Sequence, residues 1–281
     1  MVPVRTDDGA WLAPAKLNLM LRIVGRRADG YHLLQTVFQF IDRCDRLYLE
    51  TRSDGIIARG SGAAGVPPEQ DLVVRAARAL RAHTGASAGV TVDVHKVLPV
   101  GGGLGGGSSN AATTLLALNH EWGLGLGVDA LARIGLELGA DVPVFVRGHA
   151  AWAEGVGEAL TPVRLPEPWY LVLTPPVPVS TAAVFSAEEL TRNAPPMTMQ
   201  DFLGGTAGND CLAVVLARYP DVADAYGWLE RHAGNARLTG TGGCVFAVLD
   251  DARRAQSIAA TAPPRYAPFV ARGCNRSPLF G

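Results

Sequence analysis

The sequence predicts an α+β fold in two domains, on three observations: its length, the alternating strands that open it, and a proline-rich break past its midpoint. A chain of 281 residues has room for two domains of about 100–200 residues, each able to bury a core. Strand-like alternation dominates the start, giving a mostly antiparallel sheet. Beyond a Pro-rich stretch at 162–178 the order is helix, helix, strand, helix, strand. The division falls near residue 160, giving domains over 1–160 and 161–281.

Taken in order, residues 17–23 alternate, with Leu17, Leu19, Leu21 and Ile23 on one face and Lys16, Asn18, Met20 and Arg22 on the other. Lys16 and Asn18 then lie side by side, about 6–7 Å apart along a strand, where they can floor a cleft. Residues 25–30 read as a polar turn, 33–41 as a second apolar segment and 46–51 as a further strand. Val90, Val92 and Val94 alternate with Thr91, Asp93 and His95. Residues 71–83 and 109–122 read as helices; in the second, Ala111, Leu115, Leu118 and Trp122 form one stripe, Ser-Ser-Asn at 108–110 supplies caps and Gly123 a stop. Residues 129–138 form a third helix, capped by Asp129 and ended by Gly139. The proline-rich break contains a strand at 169–174. Helices at 209–218 and 222–232, a glycine turn at 240–243, a strand at 244–249, a helix at 252–260 and a strand at 269–272 complete the chain.

Composition excludes several classes of function. With 25 basic and 26 acidic residues the net charge is −1, which gives no electrostatic footprint for a nucleic acid or an anionic membrane. Any nucleotide it binds is therefore expected to be small and held in a pocket. The four cysteines, Cys44, Cys211, Cys244 and Cys274, lie far apart with no Cys-x-x-Cys pair, so neither a zinc site nor a disulfide framework is expected. Asp7 and Asp8 interrupt the place of a signal peptide, no run of about 18 apolar residues occurs, and a cytoplasmic protein with reduced thiols is the expectation. The only lysines among the basic residues are Lys16 and Lys96. In so Arg-rich a chain, a lysine suggests a place that needs a compact ammonium, as at a phosphate or beside a catalytic carboxylate.

The stretch Pro99-Val100-Gly101-Gly102-Gly103-Leu104-Gly105-Gly106-Gly107-Ser108-Ser109 carries a strand through six glycines into a helix. Without side chains, several backbone N–H groups can turn toward one small volume, and the helix N-terminus adds partial positive charge. A nucleotide phosphate is the expected guest. Gly101, Gly103 and Gly106 satisfy the dinucleotide pattern Gly-x-Gly-x-x-Gly, but Thr91, Asp93 and His95 interrupt a strand that would have to be apolar on both faces. A Walker loop is excluded, because no lysine follows Gly107. Asp141 is the lone charge in the apolar segment 139–145, with Lys16 as the natural cation to hold it ionised. A second glycine turn, Leu238-Thr239-Gly240-Thr241-Gly242-Gly243, serves either a substrate or a tight hairpin. Tyr31, His32 and Phe185 lie near loops and supply flat faces and an imidazole to any base-containing substrate.

Together, Pro14-Ala15-Lys16-Leu17-Asn18-Leu19, the 99–109 glycine loop and the 238–243 turn resemble the three motifs of the GHMP kinases, in the same order. Arg27-Ala28-Asp29-Gly30-Tyr31-His32, the segments 103–112 and 139–145, and Asn275-x-Ser277-Pro278-Leu279 are similar to the branch that phosphorylates a cytidine-diphosphate-linked methylerythritol in non-mevalonate isoprenoid synthesis. The resemblance covers nearly the whole chain. It implies a ribosomal-protein-S5-like N-terminal domain and a ferredoxin-like C-terminal domain, with ATP and substrate meeting between them. It makes Asp141 the base and Lys16 its partner, and places Asn18 beside the reacting alcohol. His32 falls on the cytosine edge, and Tyr31 and Phe185 on its two faces. ATP is held by Lys96 and the 99–109 loop; Mg²⁺ accompanies it, with Ser108 or Ser109 as a contributing ligand. A monomer or a homodimer fits equally. Asp71 stands where the family carries Asn near adenine, which removes the donor half of that contact. The alternatives are another GHMP kinase, for homoserine or a mevalonate derivative, and a non-catalytic ligand sensor on the same fold.

Overall fold

A computed structural model describes residues 2–281. Strands β1 (Trp11–Arg26) and β2 (His32–Arg52) form a long antiparallel hairpin whose tip carries Tyr31. β1 lies along one edge of β2. The other edge is shared in succession by β5 (Ala151–Glu154), β10 (Phe269–Cys274) and β4 (Gly89–His95), so a single strand ties the beginning and end of the chain together. β3 (Ile57–Arg59) runs parallel to β4, and β6 (Ala159–Pro162) pairs with β5. Helices α1 (Leu72–Thr84), α2 (Gly106–Glu121), α3 (Val128–Leu138) and α4 (Val142–Arg147) share a core with this sheet, built on Trp11, Phe38, Phe40, Leu80 and Leu115.

In the second half, β7 (Trp169–Leu173), β8 (Arg237–Leu238) and β9 (Val245–Leu249) join β10 in the spatial order β10-β7-β9-β8. This is the ferredoxin-like order. The short helices α5 (Thr181–Phe185), α6 (Met199–Leu203) and α7 (Leu212–Arg218) precede α8 (Pro220–Ala233), and α9 (Ala252–Thr261) links β9 to β10. A shared core of Leu17, Met20, Val37, Ile41, Tyr170 and Phe246 joins the two halves. At about 1.5–3 kcal/mol for each fully buried large apolar side chain, that layer fixes the angle at which the halves meet. Among the described residues no helix is long and apolar enough to cross a membrane.

Four local expectations are corrected. The apolar segment 33–41 and the strand 46–51 are one strand, β2, bulged at Asp42 and Arg43 opposite Pro14 and Ala15. In β1, Leu19 is an extra residue between paired Asn18 and Met20, so the simple alternation breaks. Met20 therefore packs with Leu17, and Leu21 takes the place on the cleft side, after Lys16 and Asn18, that Met20 was expected to hold. Helix α2 begins at Gly106, not at residue 109, so Ser-Ser-Asn lies inside its first turns and caps nothing. The N-cap of α3 is Gly127; Asp129 sits within the first turn, where a carboxylate favours the helix dipole.

Candidate active site

β1 delivers Lys16 and Asn18 to the floor of a cleft of about 870 Å³ between the two halves. Lys16 is only 3% exposed, yet its ammonium is fully partnered. Nζ donates to Asn18 Oδ1 at 2.5 Å and to the Gly103 carbonyl at 3.0 Å, and pairs with Asp141 Oδ2 at 3.2 Å. Three donors meet three acceptors, so burial leaves none of the ammonium protons unpaired. Asn18 is oriented by the same set: its Nδ2 donates to Thr36 Oγ1 at 2.9 Å, and Thr36 in turn donates to the Met20 carbonyl. Asp141 occupies the residue before α4, makes no cap bond, and is 35% exposed, so it remains open toward the cleft.

The two glycine turns meet backbone to backbone, and the second also reaches the cleft through Gly240 and Thr241. A Cβ on Gly103 would lie 2.3 Å from the Thr239 carbonyl oxygen, and one on Gly243 would lie 2.7 Å from the Gly101 carbonyl oxygen. Both have left-handed φ, +75° and +94°. Thr239 locks the junction: its hydroxyl donates to the Gly103 carbonyl and accepts the Asn18 N–H. Gly101 has a similar φ of +73° but no atom nearer than 3.9 Å to its Cβ position. Gly103→Ala is therefore expected to lose about 1–3 kcal/mol more stability than Gly101→Ala, the cost of overpacking added to the same backbone strain. Paired urea titrations check this; equal losses would mean that the turns do not depend on close contact.

Because α2 starts at Gly106, the first-turn N–H groups of Gly106, Gly107 and Ser108 have no partner within the helix, and all three residues line the cleft. Lys96 stands beside them, with Nζ 3.3 Å from the Cβ position of Gly106. What holds Lys96 is a residue the sequence reading missed. Asp45, fully buried, accepts from Lys96 Nζ at 2.5 Å, from the N–H groups of Val97 and Leu98 at 2.7 and 2.8 Å, and from Asn110 Nδ2 at 2.9 Å. One carboxylate thus fastens β2, the lead into the glycine loop and the first turns of α2.

At the far end of the cleft, His32 and Phe185 stack with ring centroids 4.9 Å apart and planes inclined by 21°. Tyr31, 64% exposed, lies beside them. His32 Nε2 accepts from Arg192 Nε at 3.2 Å. Burial of His32, with Arg192 and Arg26 facing it, pushes its pKa below the usual histidine value. Asp71 caps α1 through the Val73 N–H and pairs with Arg59 at 2.6 Å, so its carboxylate is engaged at the rim formed with Ala63, Val66 and Leu72.

Of the residues expected from the sequence, Lys16, Asn18, Tyr31, His32, Lys96, Asp141, Phe185 and the loop from Pro99 to Ser108 all line this one cleft. Ser109 does not. Its side chain is wholly buried and its N–H donates to the Gly105 carbonyl, because the earlier helix start turns it inward; it is removed from the phosphate and magnesium candidates. Phe185 rests on His32. The cysteines are free, and burial pushes Cys44, Cys211 and Cys244 up to about 12 and Cys274 to about 11, so none supplies a thiolate near neutral pH.

Known proteins resemble this chain over nearly its whole length. Residues 71–149 match the GHMP kinases N terminal domain, and residues 198–266 match the GHMP kinases C terminal family. A protein of Nitrosococcus oceani named 4-diphosphocytidyl-2-C-methyl-D-erythritol kinase is 57% identical over 270 residues, 96% of either chain. The protein of that name from Pseudomonas aeruginosa strain PAO1 is 55% identical, over 95% of this chain and 94% of its own. A crystal structure titled 4-(cytidine 5'-diphospho)-2C-methyl-D-erythritol kinase superposes with a TM-score of 0.82 at 31% identity, covering 94% of this chain and 98% of that one. A mevalonate kinase crystal structure, covering 95% of this chain and 99% of its own, shares the fold at a TM-score of 0.68 with 12% identity.

Proposed function

The chain belongs to the GHMP kinases, within the 4-diphosphocytidyl-2-C-methyl-D-erythritol kinase family, and from that premise we propose how its cleft transfers the terminal phosphoryl group of ATP to the 2-hydroxyl of that cytidine-linked substrate. It is an ATP-dependent kinase of isoprenoid precursor synthesis. The observation that carries the mechanism is the Lys16–Asp141 pair at 3.2 Å, placed where the glycine turn meets the floor of the cleft. Phosphoryl transfer asks mainly for alignment and charge stabilisation.

In this reading the free N–H groups of Gly106, Gly107 and Ser108, with Lys96 beside them, cradle the ATP phosphates. Asp141 takes the proton of the 2-hydroxyl as the oxygen attacks. Lys16, fixed by Asn18 and the Gly103 carbonyl, orients Asp141 and offsets the negative charge that gathers on the transferring group. Mg²⁺ would accompany ATP, with Ser108 of the cleft lining as the residue that would help to hold it and charge neutralisation as what it would supply. The aromatic end of the cleft, Tyr31, His32 and Phe185, takes the cytosine. Residues 1–160 supply the nucleotide side and 161–281 complete the substrate side.

ADP release tests this directly. Cytidine 5'-diphosphate is expected to compete with the acceptor and not with ATP. Tyr31→Ala is expected to weaken the acceptor by about 1–3 kcal/mol, the range of base stacking, with little change for ATP. Equal weakening of both substrates would contradict the placement of the base.

A further inference from the structure

We propose that Arg192 is a positioning residue that holds His32 in its Nδ1–H tautomer, so that the imidazole offers the bound base a donor and never an acceptor. The inference rests on the cytidine reading above for the identity of the base, but not for the tautomer. A guanidinium has only donors. With Arg192 Nε 3.2 Å from His32 Nε2, that ring nitrogen must carry the lone pair, and the single proton of the neutral ring sits on Nδ1. The charged groups facing the ring are Arg192 and, from its own hairpin, Arg26, both cations; after burial, the larger cause, they favour its neutral form. Among the described residues, no protein group is hydrogen-bonded to Nδ1.

The same guanidinium also donates to the carbonyls of Phe185 at 3.1 Å, Ala187 at 2.6 Å and Leu190 at 3.1 Å. These carbonyls end α5 and begin the loop after it, so Arg192 sets the position of the Phe185 ring that stacks on His32. One side chain from the second half thereby fixes both the plane and the polarity of the base-reading end. The 2-carbonyl and ring N3 of cytosine are acceptors and suit a fixed Nδ1–H, whereas an amino group presented there meets a second donor and is rejected.

The tautomer has its own signature. In Arg192→Leu the neutral ring is free to carry its proton on Nε2, turning Nδ1 into an acceptor against the base. Below the His32 titration both nitrogens are protonated and the donor returns. Nitrogen-15 NMR of the wild-type protein is expected to show Nδ1 protonated and Nε2 bare above that titration. The KM for the cytidine-linked substrate, taken as the ratio of Arg192→Leu to wild type at saturating ATP, is expected to be about tenfold above the variant's own His32 titration and about threefold below it. In a His32→Asn background, where the amide keeps a donor at the Nδ1 position, that pH dependence should vanish. A protonated Nε2 in the wild-type spectrum, or a KM ratio that is the same at both pH values, would overturn the proposal. Failure of the wild-type protein to bind cytidine 5'-diphosphate would overturn the cytidine reading instead, and the NMR spectrum would still decide the tautomer.

Discussion

Asp141→Asn is expected to lower kcat by about 10²–10⁴, the usual contribution of a positioned general base, with the affinity for ATP nearly intact. The substitution conserves shape and removes the proton acceptor together with its charge. Lys16 keeps its bonds to Asn18 Oδ1 and the Gly103 carbonyl, so the floor of the cleft stays in place. Stability is expected to fall as well, because Lys16, only 3% exposed, loses its counter-charge, although the amide oxygen of Asn can still accept from Nζ. Steady-state ADP release with each substrate varied, beside a urea titration, separates the two effects. Unchanged turnover would remove Asp141 from the chemistry.

Asp45→Asn is expected to act through the scaffold and to destabilise the protein by about 3–5 kcal/mol, the cost of breaking a buried ion pair by removing one partner. The carboxylate accepts from four donors, whereas an amide offers one acceptor oxygen and turns its own NH₂ toward donors. Lys96 then loses its counter-charge at a site only 18% exposed. A lower urea midpoint with an unchanged slope is the expected result, accompanied by a raised KM for ATP as the lead into the glycine loop loosens. An unchanged midpoint would mean that the first turns of α2 are held by packing alone.

These two residues mark the limits of what the sequence discloses. Lys16, Asp141 and the glycine loop were legible because their chemistry stands out locally: a rare lysine on an alternating strand, a lone acid in an apolar run, and glycines leading into a helix. Asp45 was not. It sits in the polar run 42–46, which resembles a loop, and its partners Lys96, Leu98 and Asn110 lie 51, 53 and 65 residues away. The bulge at Leu19 was hidden for a related reason, since alternation gives no sign of an extra residue until its pairing partner is known. Glycine's poor helix propensity delayed the expected start of α2 to residue 109. Packing overrides that preference at Gly106 and Gly107, where a Cβ would come within 3.3 Å of the Leu98 and Leu72 side chains. Arg192 lies in an aperiodic loop, and only its contacts with His32 and the Phe185 turn reveal a purpose.

In the mechanism proposed for this cleft, the terminal phosphoryl group and the acceptor alcohol meet at Lys16 and Asp141. A crystal structure with the cytidine-linked substrate and a non-hydrolysable ATP analogue tests it most directly. The 2-hydroxyl oxygen is expected within hydrogen-bond reach of the Asp141 carboxylate, about 2.6–3.2 Å, and in line with the terminal phosphorus. An alcohol bound away from Asp141, with the phosphates turned from the Gly106–Ser108 amides, would contradict it.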